Sequence, residues 1–258
     1  MRQLLGLAGL VLAAVSACAP VSGDGAYLAA AAPRETYLWG TGFFIDRNGL
    51  ILTAHHLVRD CARIDVVAGE RRERAALVAS SAVDDLSLLR VAGSFGAPLP
   101  VAEGGKPPGG AFVAILGYAA LHAGRRPAAL NSMVLDERAP RHIALISEAA
   151  PGYSGSPVVT SDGSVIGVLE SQVTERGGFA MAGRPRDIRL AVSGAAVRAF
   201  LREEGVAPAE GAASPEGSDL VQRLAAAEVK VECHWQSGSF GSQSPKPSTL
   251  PVMIGSTG

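Results

Sequence analysis

The sequence predicts an all-β domain, a barrel or a sandwich, in the middle of a 258-residue chain. Three observations carry that expectation. Between Leu38 and Val192, short apolar runs are separated by turn signals and show no helical spacing. Asn48-Gly49 and Asp162-Gly163 each sit between two apolar runs, where such a pair favours a tight hairpin. Many short strands joined by closely spaced turns are the pattern of closed or two-layer β architectures.

Taken in order, the chain opens on a targeting pattern. Arg2 supplies a positive start, and Leu4 to Val15 form an apolar run too short to span a bilayer. Val15-Ser16-Ala17 then offers small residues before a cut, which suits ordinary secretion. Cys18 directly after them resembles a bacterial lipobox, in which the thiol takes a lipid. Residues 1–17 are therefore expected to be a signal peptide of lipoprotein type, and membrane attachment through Cys18 is expected ahead of plain secretion or a retained anchor. Residues 18–35, rich in Ala, Gly and Pro, read as a tether.

The main domain is expected over 36–205. Strands are predicted at 38–45, 50–53, 63–68, 75–79, 86–91, 111–117, 128–135, 142–147, 156–160 and 164–173, with a further pair near 178–182 and 188–192. The mixed-sign run Glu70-Arg71-Arg72-Glu73-Arg74 reads as a solvated hairpin tip. Ser193 is a suitable N-cap for a helix over 194–204, whose Ala196, Val197, Phe200 and Leu201 share a face and which Gly205 stops. Residues 206–217 read as a linker. A short helix at 219–228 and an edge strand at 229–235 make an extension over 218–235, and 236–258 is expected to be disordered.

Composition excludes more than it selects. The formal net charge is −1 and no basic stripe is present, so nucleic acid is not an expected partner. His122, His142 and His234 show no metal-ligand spacing with each other or with cysteine, so a zinc site is not expected, and the serine chemistry read below calls for neither metal nor other cofactor. Trp39 and Trp235 read as packing residues.

The local chemistry concentrates in three segments. Pro151-Gly152-Tyr153-Ser154-Gly155-Ser156-Pro157 places a serine between glycines. Such a turn exposes Oγ and frees the backbone to aim amide N–H groups at a developing oxyanion. A serine hydroxyl needs a base at neutral pH. Thr53-Ala54-His55-His56-Leu57-Val58 offers one after an apolar strand, and Asp84-Asp85-Leu86-Ser87-Leu88 offers a carboxylate to orient it.

With these segments in the order His, Asp, Ser, the chain resembles the trypsin-like, chymotrypsin-fold serine proteases, and among them compact bacterial members of the high-temperature-requirement type. Gly40-Thr41-Gly42-Phe43-Phe44-Ile45 matches the family's opening strand. The family's Thr-Ala-x-His-x-Val register selects His56 over His55 as the base. Its Asp-hydrophobic-small-hydrophobic strand selects Asp85 over Asp84, and Gly152 to Pro157 matches its nucleophile segment. Val165-Ile166-Gly167-Val168 and Leu190-Ala191-Val192 continue the match, which spans about 165 residues near 36–203. The resemblance implies two perpendicular six-stranded β-barrels with a C-terminal helix. It also implies a serine endopeptidase acting on protein or peptide substrates. His56, Asp85 and Ser154 would be catalytic, and the N–H groups of Gly152 and Ser154 would form the oxyanion hole.

Departures from the family shape further expectations. Tyr153 stands where animal digestive relatives carry an aspartate that pairs with a new N-terminus, so activation by that route is not expected. Ser156 replaces the commoner glycine. About 50 residues follow the last family segment, too few for the PDZ domain of the larger relatives. Glu148, six residues before Ser154, falls where the family places the floor of the primary pocket, and Glu170 is a candidate wall residue. An acid there would favour basic side chains, whereas a surface Glu148 beside a small apolar pocket is the competing expectation. An exported compartment permits a Cys61–Cys233 disulfide pinning the extension, the alternative being two separate buried thiols. A non-catalytic peptide-binding module and a structural envelope lipoprotein on the same fold are the alternatives to an enzyme.

Overall fold

A computed structural model describes residues 36–103, 107–119, 127–135, 140–173, 180–181, 184–185, 187–209, 220–235 and 255–256. The expected leader, tether and lipid-bearing Cys18, together with His122, lie outside the described residues, as do most of the expected linker and tail.

The first barrel is built from β1 (Thr36–Phe44), β2 (Leu50–Ala54), β3 (Arg63–Ala68), β4 (Arg71–Ser81) and β5 (Leu86–Arg90). The ring runs β1, β2, β5, β4, β3, and all its pairs are antiparallel. The second barrel uses β6 (Phe112–Gly117), β7 (Ala128–Val134), β8 (His142–Ile146), β9 (Pro157–Val159), β10 (Val165–Val173) and, after a small pair β11 (Ala180–Met181) and β12 (Arg184–Pro185), β13 (Ile188–Ser193). This ring closes in the order β10, β13, β8, β7, β6, β9. Helix α1 (Gly194–Glu203) follows, capped by Ser193, whose Oγ accepts from Ala196 N at 3.3 Å. Then come α2 (Leu220–Ala227), β14 (Glu228–His234) and β15 (Gly255–Ser256), the last pairing with β1. The fold class is all-β, two closed six-stranded barrels.

Three clusters divide the core. Ile51, Val66, Leu89, Val229 and Val231 fill the first barrel. Ile115, Ile143, Leu145, Val158 and Ile166 fill the second. Leu50, Leu52, Leu86, Leu88, Val165, Val168 and Val192 form the seam that α1 covers with Val197, Phe200 and Leu201. β2 is therefore buried on both faces, which explains its unbroken apolar run Leu50-Ile51-Leu52.

One expectation is corrected. The strand at 229–235 is not an edge: β14 pairs with β1 on one side and β3 on the other, and so closes the first barrel. Its alternating pattern has an edge-like polar face, but that face is buried through charge pairing. Glu232 takes Arg72 at 2.5 Å and Lys230 at 2.6 Å. The charged run starts at the β3–β4 hairpin turn with Glu70, Arg71, Arg72 and Arg74 exposed, as expected, and from Arg71 onward it is the start of β4 opposite β3. Cys61 and Cys233 are joined by a disulfide, with Cα atoms 5.2 Å apart, which ties β14 to the loop before β3. Among the described residues, no helix is long and apolar enough to cross a membrane.

Candidate active site

His56 sits in a single 3-10 turn, His55–Leu57, that ends β2. The turn is anchored from below, because His55 N donates to the Asp85 carbonyl at 3.0 Å. The Asp85 carboxylate then holds His56 twice. Its Oδ1 accepts the His56 backbone N–H at 2.8 Å, and its Oδ2 lies 2.7 Å from Nδ1. A carboxylate can only accept, so Nδ1 carries the proton and Nε2 keeps a lone pair. Asp85 precedes β5 with φ of 50°, a left-handed conformation that aspartate tolerates better than most residues but at a cost. The neighbouring Asp84 turns away and receives Arg141, whose Nε is 2.8 Å from Oδ1. His55 has its own partner, Ser80, at 2.5 Å.

Ser154 lies in the turn between β8 and β9 and is 4% exposed. Two glycines make this turn possible. Gly152 has φ of 98°, and a Cβ there would stand 2.1 Å from the Tyr118 carbonyl oxygen. Gly155 has φ of 81°, and a Cβ there would meet the Thr41 carbonyl oxygen at 2.1 Å. That same Cβ would lie 3.0 Å from Ala54 N, so the serine turn abuts the residues that lead into the His56 turn. Among the described hydrogen bonds, neither the Gly152 nor the Ser154 amide donates to a protein acceptor.

Thr41 locks this turn to the first barrel. Its backbone N–H donates to the Ser154 carbonyl at 2.8 Å, and its Oγ1 donates to the Gly152 carbonyl at 2.9 Å while accepting from Tyr118 N at 2.9 Å. Its own carbonyl accepts from Thr53 Oγ1 at 2.7 Å. In the sequence Thr41 stands out only as one residue of the Gly40 to Ile45 match to the family's opening strand. A hydroxyl between two glycines, next to a buried seam, was the available signal.

The two acidic pocket candidates are not brought together. Glu148 is exposed, with no ion pair among the described residues. Glu170 on β10 is half-buried and faces His142 on β8, Nε2 to Oε2 3.5 Å. Burial pushes the Glu170 carboxyl up, and the nearby Asp85 and Asp84 charges add to this while His142 and His56 oppose it. Its charge therefore belongs to the surroundings of His56.

A second cluster was not visible in the sequence spacing. Asp65, Glu232 and His234 offer ligand atoms within 4.8 Å of one another on the first barrel. Arg72 bridges the two carboxylates, Arg63 pairs with Asp65 at 3.2 Å and Lys230 with Glu232. Three cations already compensate these acids, so the donor set is that of an ion-pair network rather than a metal site.

The trypsin-like peptidase domain family matches residues 40–168. An uncharacterized protein y4bJ of Sinorhizobium fredii is 33% identical over 206 residues, covering 75% of this chain and 32% of that protein. A probable periplasmic serine endoprotease DegP-like of Hahella chejuensis is 31% identical over 156 residues, 57% of this chain and 32% of that protein. The chain thus spans about a third of the length of these relatives. The fold is shared with the Rv3671c protease of M. tuberculosis in its active form, at TM-score 0.54 and 20% identity over 81% of this chain and 97% of that one. It is also shared with the serine endoprotease from Yersinia pestis, at TM-score 0.55 and 20% identity over 67% and 63%. The match through the barrels and both histidine and serine turns leaves one assignment: this chain belongs to the trypsin-like peptidase family.

Proposed function

We propose that this chain is an exported serine endopeptidase that cleaves peptide bonds through an acyl-enzyme on Ser154. The observation that carries the reading is the double grip of Asp85 on His56, which fixes the ring with its proton on Nδ1 and its lone pair on Nε2. The Nε2 lone pair takes the Ser154 Oγ proton as Oγ bonds to the substrate carbonyl carbon. The negative charge that develops on the carbonyl oxygen is met by the N–H groups of Gly152 and Ser154, neither of which donates to an acceptor among the described residues. His56 then gives its proton to the departing amine. Water, activated by the same base, releases the acyl group.

Export is supported by the leader-like start of the sequence and by relatives described as periplasmic. Cys18 would carry the lipid that holds the domain at a membrane. A preference for basic side chains would rest on the exposed Glu148, because Glu170 is committed to His142.

Hydrolysis of an unfolded protein substrate such as casein tests the reading. Purified domain from residue 19 onward is expected to degrade it, and Ser154→Ala in the same fold to lose at least about 10³-fold. Equal hydrolysis by the two would refute it.

A further inference from the structure

Asp84 stands beside the acid of the proposed triad and plays no part in the chemistry above. The two aspartates end the turn between β4 and β5, whose flanking residues Ser81 and Leu86 pair with each other. The Asp84 side chain is 9% exposed, and a carboxylate so buried is stable only when it is compensated. Ser81 donates its hydroxyl to Oδ2 at 3.3 Å and accepts the Asp84 N–H at 3.2 Å. Arg141 supplies the charge: its Nε is 2.8 Å from Oδ1, and its Nη2 reaches the same oxygen.

The guanidinium comes from the other barrel. Arg141 directly precedes β8, and its carbonyl accepts Ser193 N at 2.8 Å where β13 runs into α1. Ser193 also donates its hydroxyl to the Pro140 carbonyl at 3.2 Å. Arg141 therefore reaches out from a backbone held by the end of β13. His56 and Asp85 belong to the first barrel and Ser154 to the second, so their alignment depends on ties between the barrels. Thr41 supplies such a tie at the serine turn, and Arg141 supplies one at the acid.

Asp85 needs that tie. Among the described residues it is the one non-glycine with positive φ, and such a conformation persists where its surroundings over-determine it. The described hydrogen bonds of Asp85 itself all go to the backbone and ring of His55 and His56, so they fix the acid to the base but not to the second barrel. Asp84 is one peptide bond away, and its carboxylate is fixed to the second barrel. We propose that Asp84 and Arg141 are a positioning pair, a clamp between the barrels that holds the Asp85 turn in its left-handed form and so keeps the Asp85 carboxylate on His56 Nδ1. The inference rests on the peptidase reading, in which that contact makes His56 the base.

Labelling of Ser154 by a fluorophosphonate probe in the purified chain, with maximal rate and half-saturating probe concentration measured separately, tests the clamp. Arg141→Met, Asp84→Asn and the double variant are compared at a temperature where circular dichroism shows each to be folded. Arg141 is half-exposed, so its replacement keeps the fold even where that of the buried Asp84 does not. Each single variant should lower the maximal rate by about ten-fold or more and leave half-saturation within about two-fold. The double variant should fall no further than the slower single, because both changes break one interaction. Arg141→Lys, which keeps the charge, should recover most of the rate. An unchanged maximal rate in folded Arg141→Met, losses that multiply in the double variant, or no recovery with lysine would overturn the clamp alone. A wild-type chain that stays unlabelled would contradict the peptidase reading, and the clamp with it, so the two failures are told apart.

Discussion

Among the described residues there are two histidine–aspartate pairs, and they differ in everything but composition. His56 meets Asp85 at 2.7 Å, with side chains 31% and 17% exposed and no cation bonded to either among the described residues. His234 meets Asp65 at 3.2 Å, with side chains 8% and 9% exposed, and the acid is shared with Arg63 and Arg72. In the first pair the carboxylate is compensated, among the described residues, by the imidazole and its backbone N–H, so a proton arriving on the ring is stabilised. In the second, guanidinium groups already satisfy the carboxylate, and a further positive charge gains little. What makes a histidine a base is the charge its acid has left over, together with access to the cleft.

Exchanging the two pairs' fates by mutation is the largest break of that comparison. Asp85→Asn should lower kcat/KM on a peptide substrate by about 10³–10⁴-fold with a small change in Tm, because the amide cannot hold the Nδ1–H tautomer. Asp65→Asn should leave kcat/KM within about three-fold and lower Tm by several degrees. Activity loss from Asp65→Asn equal to that from Asp85→Asn would erase the distinction.

The frame around the second pair gives the next effect. The disulfide closes a span of 172 residues and secures β14 inside the first barrel. Cys61→Ser with Cys233→Ser should cost about 4–5 kcal/mol by loss of loop constraint, read as a fall in denaturant midpoint. The ion pairs add a pH dependence. Burial alone would raise the Glu232 carboxyl, but Arg72 and Lys230 hold it below the ordinary range. A depressed carboxyl contributes stability that is present above its unfolded pKa and lost as pH falls through the folded one. Tm should therefore drop as pH is lowered below about 4, and Arg72→Met should flatten that drop.

These strands also show what the sequence could and could not say. The barrels were legible because seam strands such as Leu50-Ile51-Leu52 and hairpins such as Asp162-Gly163 declare themselves locally. The closure by β14 was not, because pairing Gly40 with Val231 spans most of the chain and leaves no local trace. Lys230, Glu232 and His234 made that strand look like an edge, since a polar face means solvent unless a distant Arg72 answers it. The family register picked His56 over His55 and Asp85 over Asp84, and those two side chains do pair, Nδ1 to Oδ2 2.7 Å. The setting of Glu170 was not legible, since its partner His142 arrives on another strand.

The smallest effect lies at that last pair. Glu170 stands near His56, and its raised carboxyl ionises above the usual carboxylate range. Once ionised, it favours a positive imidazole. Glu170→Gln should shift the acid limb of the kcat/KM profile to lower pH by about half a unit, while a merely structural role would leave the limb in place.

The most direct measurement of the central claim is reaction of the purified mature domain with a fluorophosphonate probe, with the adduct located by peptide mass spectrometry. An adduct on Ser154, abolished in Ser154→Ala and reduced at least about 10²-fold in His56→Ala, is the result predicted for a serine activated by the His56–Asp85 pair. A folded sample that stays unlabelled, or labels equally without His56, would contradict it.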